Sequence, residues 1–193
     1  MNKFWHHTHK SSTDSVTSVT GFHDGYIYKI INKYDDSVIH LENYITTPGA
    51  SIVAEEDTDS DCQRFRTSRI REGEEGGEFE ISSMHQNPSG PVQVWEYRQD
   101  TKILVQNTAA SSSTGFQISS LPSSSGSGVA GSDPNQLWVA VEKSEGSRIY
   151  FIKPRSEDVC LTNMGIGQPI GLYAPDPSDR TQHWVLEPTD YTE

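Results

Sequence analysis

Paired carboxylates are the first place to look for catalysis, because two acids held at a fixed distance can act as general acid and general base. Adjacent pairs such as Glu55-Glu56 and Glu74-Glu75 occur, and both of these fall in stretches that we interpret as loops. Neighbouring carboxylates in loops are better explained as solvated charge. The sequence also contains no Gly-x-Ser-x-Gly, no His-Glu-x-x-His and no phosphate-binding loop. We therefore expect no catalytic residue, no cofactor and no enzyme activity.

A metal site would need several His, Cys, Asp or Glu side chains at a defined spacing. His6, His7 and His9 lie close together, but their stretch shows no regular pattern and a disordered tail explains them better. The acidic loop from Asp57 to Asp61 lacks the turn glycine and the ligand spacing of a calcium loop. The sequence therefore predicts no metal site.

The composition limits the possible partners. The chain has 193 residues, a formal net charge of −12 and a mean hydropathy of −0.64. Such a charge disfavours nucleic acid and anionic lipid, because phosphates are bound through Lys and Arg. No stretch approaches the ~20 apolar residues that a membrane span requires. We expect a soluble protein, without membrane insertion, whose ligand is neutral or basic.

The cysteines and the N-terminus bear on the compartment. Cys62 and Cys160 do not make a disulfide framework, and we interpret them as buried small hydrophobic residues rather than nucleophiles. The first residues contain no apolar run of the kind found in secretory signals. We therefore expect a cytoplasmic protein.

Short runs of β-branched and aromatic residues recur along the chain, separated by turn signals, and no helical period of useful length occurs. This pattern predicts an all-β barrel or sandwich of twelve short strands. We expect residues 1–21 to be a disordered tail and residues 22–193 to be one domain. Within the domain we expect three groups of four strands, at about 22–70, 71–143 and 144–190, with a Ser- and Gly-rich insertion loop at 108–132.

Each group closes on a glutamine that lies two residues before a large ring. The glutamines are 73 and 46 residues apart. If the closing stretch is a strand throughout, Gln182, Trp184 and Leu186 share one of its faces. The recurrence indicates an internal repeat. The three triplets are Gln63/Phe65, Gln136/Trp138 and Gln182/Trp184.

Three four-strand groups that end in Gln-x-Trp or Gln-x-Phe resemble the ricin-B-type β-trefoil, over about residues 22–188. The resemblance implies a β-trefoil of three pseudo-repeats. We expect the triplets to be scaffold, with the rings of Phe65, Trp138 and Trp184 packed in the core. Each glutamine amide can satisfy backbone groups of a neighbouring turn.

The resemblance implies a fungal-type lectin that binds glycans or glycoproteins through one shallow site per repeat. Such a site combines a short polar side chain after the second strand with an aromatic ring on the third strand. An amide or acid beside the Gln-x-Trp triplet, a position that we call the corner, completes it. In the third repeat Tyr173 takes the aromatic position. Thr162 or Asn163 stands where family members usually carry Asp, and Asp179 and Gln182 lie at the corner.

The other repeats match this pattern less closely. In the second repeat Gln106 lies on the third strand, Asn135 lies at the corner, and Trp95 is either a core residue or a stacking platform. In the first repeat Val53 and Glu55 occupy the third strand in place of an aromatic residue, so we expect that site to be degenerate. Weak single sites would require two sites or a homodimer for useful avidity.

A second resemblance leaves another function open. The start of the domain, from Asp24 to Ile30, and the ending from Trp184 to Glu187 are similar to the mushroom β-trefoil protease inhibitors, the mycocypins and their relatives. This resemblance implies a protease as partner, reached by a protruding loop. The candidates are Pro48-Gly49, the 108–132 insertion and Lys153-Pro154-Arg155. The lectin interpretation is favoured because this chain keeps all three triplet glutamines.

Overall fold

The computed structural model describes residues 21–72, 77–110 and 133–189. In these ranges the backbone forms twelve short strands and several single 3₁₀ turns, with no α-helix. The prediction of an all-β chain with twelve strands is confirmed. The predicted tail up to residue 20 and the insertion from 111 to 132 lie outside the described residues. The strands are β1 Ile27–Asn32, β2 Val38–Leu41, β3 Ala50–Glu55, β4 Phe65–Arg71, β5 Glu78–Ser83, β6 Gln93–Arg98, β7 Ile103–Thr108, β8 Trp138–Glu142, β9 Tyr150–Pro154, β10 Cys160–Thr162, β11 Gly171–Tyr173 and β12 Trp184–Pro188.

Six of the strands close into a barrel, which is built from the first and last strand of each group. Within the groups β1 pairs with β4, β5 with β8 and β9 with β12. Between the groups β4 pairs with β5, β8 with β9, and β12 with β1. All six pairings are antiparallel, and the ring they form leaves these six strands without a free edge.

The other six strands form three antiparallel hairpins, β2–β3, β6–β7 and β10–β11. The hairpins join one another through β3–β7, β7–β11 and an isolated bridge between Val53 and Pro169. Alternation along each strand sends one set of side chains into the core. In the third hairpin Leu161 and Leu172 are paired and fully buried, so the pairs Cys160/Tyr173 and Thr162/Gly171 face away from the core centre.

The rings of the three triplets lie in a single core. Phe65, Trp138 and Trp184 are fully buried and belong to one cluster of apolar side chains. Phe65 and Trp138 both pack edge to face against Trp95, with ring centroids 5.0 and 5.9 Å apart. Burying a side chain of this size contributes roughly 1.5–3 kcal/mol. Trp95, which is fully buried among these rings, therefore serves packing and is not available to a surface ligand.

The closing stretch differs from the expected strand in one respect. Gln182 ends a 3₁₀ turn, Arg180–Gln182, and β12 begins only at Trp184. Gln63 likewise ends a 3₁₀ turn, Asp61–Gln63, before β4. From the end of this turn each of the two glutamine side chains bonds the chain that leaves the third strand of its own repeat. The pair Glu55-Glu56 was interpreted as a loop, but Glu55 is the last residue of β3, the third strand on which the site pattern placed it.

Candidate functional site

Each corner glutamine fastens the chain that leaves the third strand of its repeat. Gln182 donates from Nε2 to the Ala174 carbonyl oxygen at 3.0 Å, and its Oε1 accepts from the Asp176 backbone N–H at 2.7 Å. The other two glutamines repeat this pattern on a carbonyl and on the N–H two residues later. Gln136 bonds Thr108 O and Ala110 N, and Gln63 bonds Glu56 O and Thr58 N.

In the third repeat the short polar residues after the second strand are already engaged. Asn163 is buried, and its Nδ2 donates to both Asp35 carboxylate oxygens and to Ser37 Oγ, each at 3.0 Å. Its Oδ1 accepts from the Gly165 N–H at 2.8 Å. Thr162 is also buried, with Oγ1 3.3 Å from Gln182 Nε2. Asn163 thus links the third repeat to the first, whereas Thr162 bonds within the third repeat.

Tyr173 is the exposed aromatic residue of this repeat, with 44% of its surface accessible. Its ring lies over Gly171, since Cε2 is 2.6 Å from the position that a Cβ on Gly171 would occupy. Met164 approaches the same position, with Sδ at 3.2 Å. Gly171 therefore leaves the space into which the Tyr173 ring is laid, and the ring becomes a platform beside the Met164 thioether.

The loop after Tyr173 carries two carboxylates. Asp176 Oδ1 accepts from the Ser178 N–H and hydroxyl at 2.8 and 2.7 Å, and these bonds hold the pKa of Asp176 below its usual value. Asp179 Oδ1 accepts from the N–H and hydroxyl of Thr181 at 2.9 and 2.6 Å. Buried His183 places Nε2 3.2 Å from the Pro177 carbonyl oxygen. The loop that carries both carboxylates is thus braced at several points.

The second repeat does not bring its predicted site residues together at the surface. Trp95 is fully buried, as described above, and Gln106 lies opposite it on β7 and is fully buried too. Gln106 donates from Nε2 to Gln93 Oε1 at 3.0 Å, and Gln93 in turn donates to the Thr46 carbonyl oxygen at 2.6 Å. Trp95, predicted as a possible stacking platform, is a core ring packed edge to face, and Gln106, predicted as a sugar contact, belongs to an internal chain of amide hydrogen bonds.

The outer face of this hairpin instead carries Glu96, which the sequence analysis missed. Glu96 Oε2 accepts from Asn107 Nδ2 at 2.9 Å and from Gln136 Nε2 at 2.8 Å. Arg98 Nε lies 3.0 Å from Glu96 Oε1, an ion-pair distance without hydrogen-bond alignment. Once Trp95 is assigned to the core, alternation places Glu96 on the opposite face. Asn135 lies nearby at the corner, and its Oδ1 is buried without a hydrogen-bond partner in the described part of the chain.

The architecture was compared with known proteins. No protein-family model and no curated protein matches the chain. Among solved structures it is similar to the designed threefold-symmetric protein ThreeFoil, with a TM-score of 0.59 and 15% identity over 83% of this chain and 97% of that one. It is also similar to the Macrolepiota procera ricin B-like lectin in complex with lactose, with a TM-score of 0.55 and 15% identity over 87% of this chain and 99% of the lectin. The chain is a β-trefoil.

A third similarity is to a longer protein. The exo-β-1,3-galactanase 1,3Gal43A from Clostridium thermocellum matches with a TM-score of 0.60 and 20% identity over 86% of this chain. The β-trefoil spans 31% of the length of that protein. At these identities the similarities show the fold alone, because one fold carries many functions.

The first repeat of the β-trefoil has an exposed ring that comes from an unexpected position. Tyr44 lies in the loop after β2, is 57% exposed, and packs edge to face between His40 and His85, with centroids 5.8 and 5.7 Å away. Asn43 and Tyr44 both have positive φ, at 50° and 58°. His40 is buried, and burial lowers its pKa although Glu55 opposes the shift. No spacing rule in the sequence indicates this contact.

The acidic loop is held by internal ion pairs. Lys29 Nζ lies 2.9 Å from Asp57 and 3.1 Å from Asp59, and Arg64 lies 3.0 Å from Asp59. Burial alone would lower the pKa of Lys29, but its bonds to the two aspartates raise it above the usual value. No group of three potential metal ligands is found among residues 21–72, 77–110 and 133–189. In the same ranges no helix has the length and apolar character to cross a membrane.

Proposed function

We propose that this β-trefoil is a carbohydrate-binding protein that stacks a sugar ring on Tyr173. The observation that carries the proposal is the exposed ring at the end of β11, laid over Gly171 and followed by a loop that Gln182 fastens. An aromatic face offers apolar area to the C–H side of a sugar, while nearby acceptors orient its hydroxyls. The lectin similarity, which includes a lactose complex, supports the same class of ligand.

The roles of the predicted residues follow from their exposure and partners. Tyr173 supplies the stacking face, and Asp176 and Asp179 supply acceptor oxygens from the following loop. The side chains of Thr162, Asn163 and Gln182 do not contact the sugar. Their hydrogen bonds hold the backbone that carries the residues that do. Trp95 and Gln106 are left out because both are fully buried, and Asn135 is kept as a corner residue of the scaffold.

A glycan array with the purified chain tests the proposal. Wild type should give signal on a defined set of glycans, and Tyr173→Ala should remove it, because a lost stacking face costs about tenfold or more in affinity. Tyr34→Ala is the matched control, since Tyr34 is 63% exposed and lies in the β1–β2 turn. Equal signal from wild type and Tyr173→Ala would contradict the proposal, and so would the absence of any glycan signal.

We propose that binding occurs without catalysis. A glycosidase needs a general acid whose pKa is raised. Burial would raise the pKa of Asp35, but hydrogen bonds from Ser37 and Asn163 bring it below the usual value. In Asp57, Asp59 and Asp176 bonds from neighbouring side chains likewise lower the pKa. Release of p-nitrophenol from a panel of nitrophenyl glycosides would overturn this part.

Single shallow sites bind weakly, so a homodimer would raise the avidity. We include such a dimer in the proposal, with glycoproteins as its partners. Sedimentation velocity of the ligand-free chain measures the oligomeric state directly. A monomer that also fails to cross-link glycoprotein in a precipitation assay would remove the dimer from the proposal.

Cytoplasmic residence also remains a proposal, and the state of the cysteines supports it. Cys62 and Cys160 are free and buried, and burial raises their pKa to about 11 and about 12. Buried thiols with a raised pKa resist oxidation. Because the two thiols are unpaired, no disulfide bond between them stabilises the fold. Thiol titration of native and unfolded protein should show two masked thiols, and a disulfide-linked product from the native source would contradict a reducing compartment.

A protease inhibitor is the second candidate, and one braced loop favours it. Tyr44 and Ile45 are exposed between β2 and β3. Gln93 Nε2 holds the Thr46 carbonyl oxygen, and the Gly49 N–H donates to the Gln106 carbonyl oxygen at 2.7 Å. A rigid protruding loop loses little entropy when it enters a cleft.

The structure gives less support to the other two candidate inhibitor loops, Lys153-Pro154-Arg155 and the insertion. Lys153 and Pro154 belong to β9 and pair with β8, so that segment lies in the barrel wall and does not protrude. The insertion from 111 to 132 lies outside the described residues. Stoichiometric inhibition of papain or trypsin, lost in Ile45→Asp and with no glycan signal, would replace the lectin proposal by this one.

A further inference from the structure

One exposed apolar side chain, that of Met164, lies beside the Tyr173 platform. Met164 is 49% exposed and Ile166 is 50% exposed, and both lie in the loop after β10. Met164 Sδ and Cγ lie 3.2 and 3.3 Å from the position of a Cβ on Gly171, which the Tyr173 ring also approaches. The Met164 thioether and the Tyr173 ring therefore meet over Gly171. We call the apolar surface that they form together the ledge.

The ledge is held in place by the backbone of its loop. The Gly165 N–H donates to Asn163 Oδ1, and the Gly167 N–H donates to the Ala54 carbonyl oxygen, both at 2.8 Å. The Ala54 N–H returns a bond to the Gln168 carbonyl oxygen at 3.1 Å. Because these bonds fix the chain on both sides of Met164 and Ile166, the exposure of the two side chains is a property of the folded loop.

An apolar ledge discriminates between substituents on a sugar ring that is stacked on Tyr173. A hydroxyl against Met164 loses water without gaining a hydrogen bond there, because a thioether sulfur is only a weak acceptor. A methyl group in the same place buries apolar surface on both partners. The thioether is also polarizable and adapts to the shape of the group that contacts it.

We infer that the site selects sugars that carry a methyl group beside the stacked face, and that Met164 is the residue that determines this selectivity. The inference rests on the proposed function, since it concerns the ligand of the Tyr173 platform. An acetamido group and a 6-deoxy carbon are two sources of the same chemistry. A methyl contact of this size should favour the methyl-bearing sugar by about three- to fivefold.

Calorimetric titrations with matched sugars test the inference and separate the two sources. D-galactose is compared with N-acetyl-D-galactosamine in one arm and with 6-deoxy-D-galactose in the other. A parallel arm compares D-glucose with N-acetyl-D-glucosamine. Preference for the acetamido sugars alone identifies the acetamido methyl group as the source, and preference for 6-deoxy-D-galactose alone identifies the 6-deoxy carbon.

Three variants assign the preference to Met164. Met164→Gln keeps the chain length but replaces the thioether by an amide, and it should abolish the preference while the hydroxyl sugar still binds. Met164→Leu should retain the preference. Ile45→Gln is the matched control, since Ile45 is an exposed apolar residue of the β2–β3 loop.

Equal affinities for both members of every pair would overturn the inference and leave the proposed function standing. An equal loss of affinity for all sugars in Met164→Gln would also overturn the inference, because Met164 would then support the Tyr173 ring without selecting the ligand. If no sugar binds to wild type at any concentration tested, the proposed function fails and the inference fails with it.

Discussion

The ring of Tyr173 occupies the space that Gly171 leaves open, with Cε2 only 2.6 Å from where a Cβ would stand. A real Cβ cannot tolerate that distance, so any side chain at position 171 must push the ring away. The orientation of the proposed platform thus depends on a residue that never needs to touch the ligand.

Gly171→Ala should therefore lower glycan affinity by about five- to tenfold, because the displaced ring no longer presents its face. Folding should change little, since a flexible ring end can move. Tyr173→Phe is the comparison: it keeps the ring and should keep most of the binding. Calorimetry with a glycan selected from the array measures both, and unchanged affinity in Gly171→Ala would show that ring orientation does not matter.

Gln182→Ala should lower the free energy of unfolding by about 1–3 kcal/mol, because it leaves the Asp176 N–H and the Ala174 carbonyl without their partner. Gln168→Ala is the control, since Gln168 is an exposed glutamine in a neighbouring loop and its loss should cost no more than about 0.5 kcal/mol. Urea denaturation followed by tryptophan fluorescence gives both values. Equal midpoints for the two variants would argue against the corner brace.

Stability should fall as the pH drops below about 6.5. Burial lowers the pKa of both His40 and His183 in the folded protein; Glu55 opposes the shift at His40, and Lys143 reinforces that at His183. The unfolded chain therefore takes up these protons first, and acid favours unfolding until the pH lies below the folded pKa values.

Urea midpoints at pH 8, 6.5 and 5 measure this effect. His183→Gln, whose amide can still donate to the Pro177 carbonyl, should reduce the dependence on pH. A midpoint that stays constant from pH 8 to pH 5 in wild type would contradict the neutral state of the buried histidines.

Trp95→Leu should cost about 2–4 kcal/mol of stability and leave glycan affinity unchanged in the folded protein. The ring is fully buried against Phe65 and Trp138, and its Nε1 makes no hydrogen bond within the described ranges, so only packing is lost. Thermal unfolding and a glycan titration below the transition report the two quantities. A loss of glycan affinity without a loss of stability would show that Trp95 belongs to the glycan-binding site.

The fold was accessible from the sequence because its signals are local. The alternation of apolar residues and the turn signals predicted the twelve strands, and the triplets at Gln63, Gln136 and Gln182 indicated three repeats. Tyr173 ends β11, the third strand of its repeat, where the resemblance implied an aromatic residue, and it is exposed. The sequence did not reveal that Asn163 is engaged with Asp35, since 128 positions separate the two residues.

Sequence alone thus determined the element types and the aromatic residue at the end of β11, because each depends on neighbours within a few positions. It also indicated the threefold recurrence, because each triplet is a local signal that can be recognised again further along the chain. The tertiary structure decided which polar groups are free to meet a ligand. It assigned Gln106 to an internal brace, Asn163 to a contact between repeats, and Met164 to a ledge beside Tyr173. The physical reason is that a hydrogen-bonding group is available only if no other part of the fold satisfies it, and those partners come from distant segments.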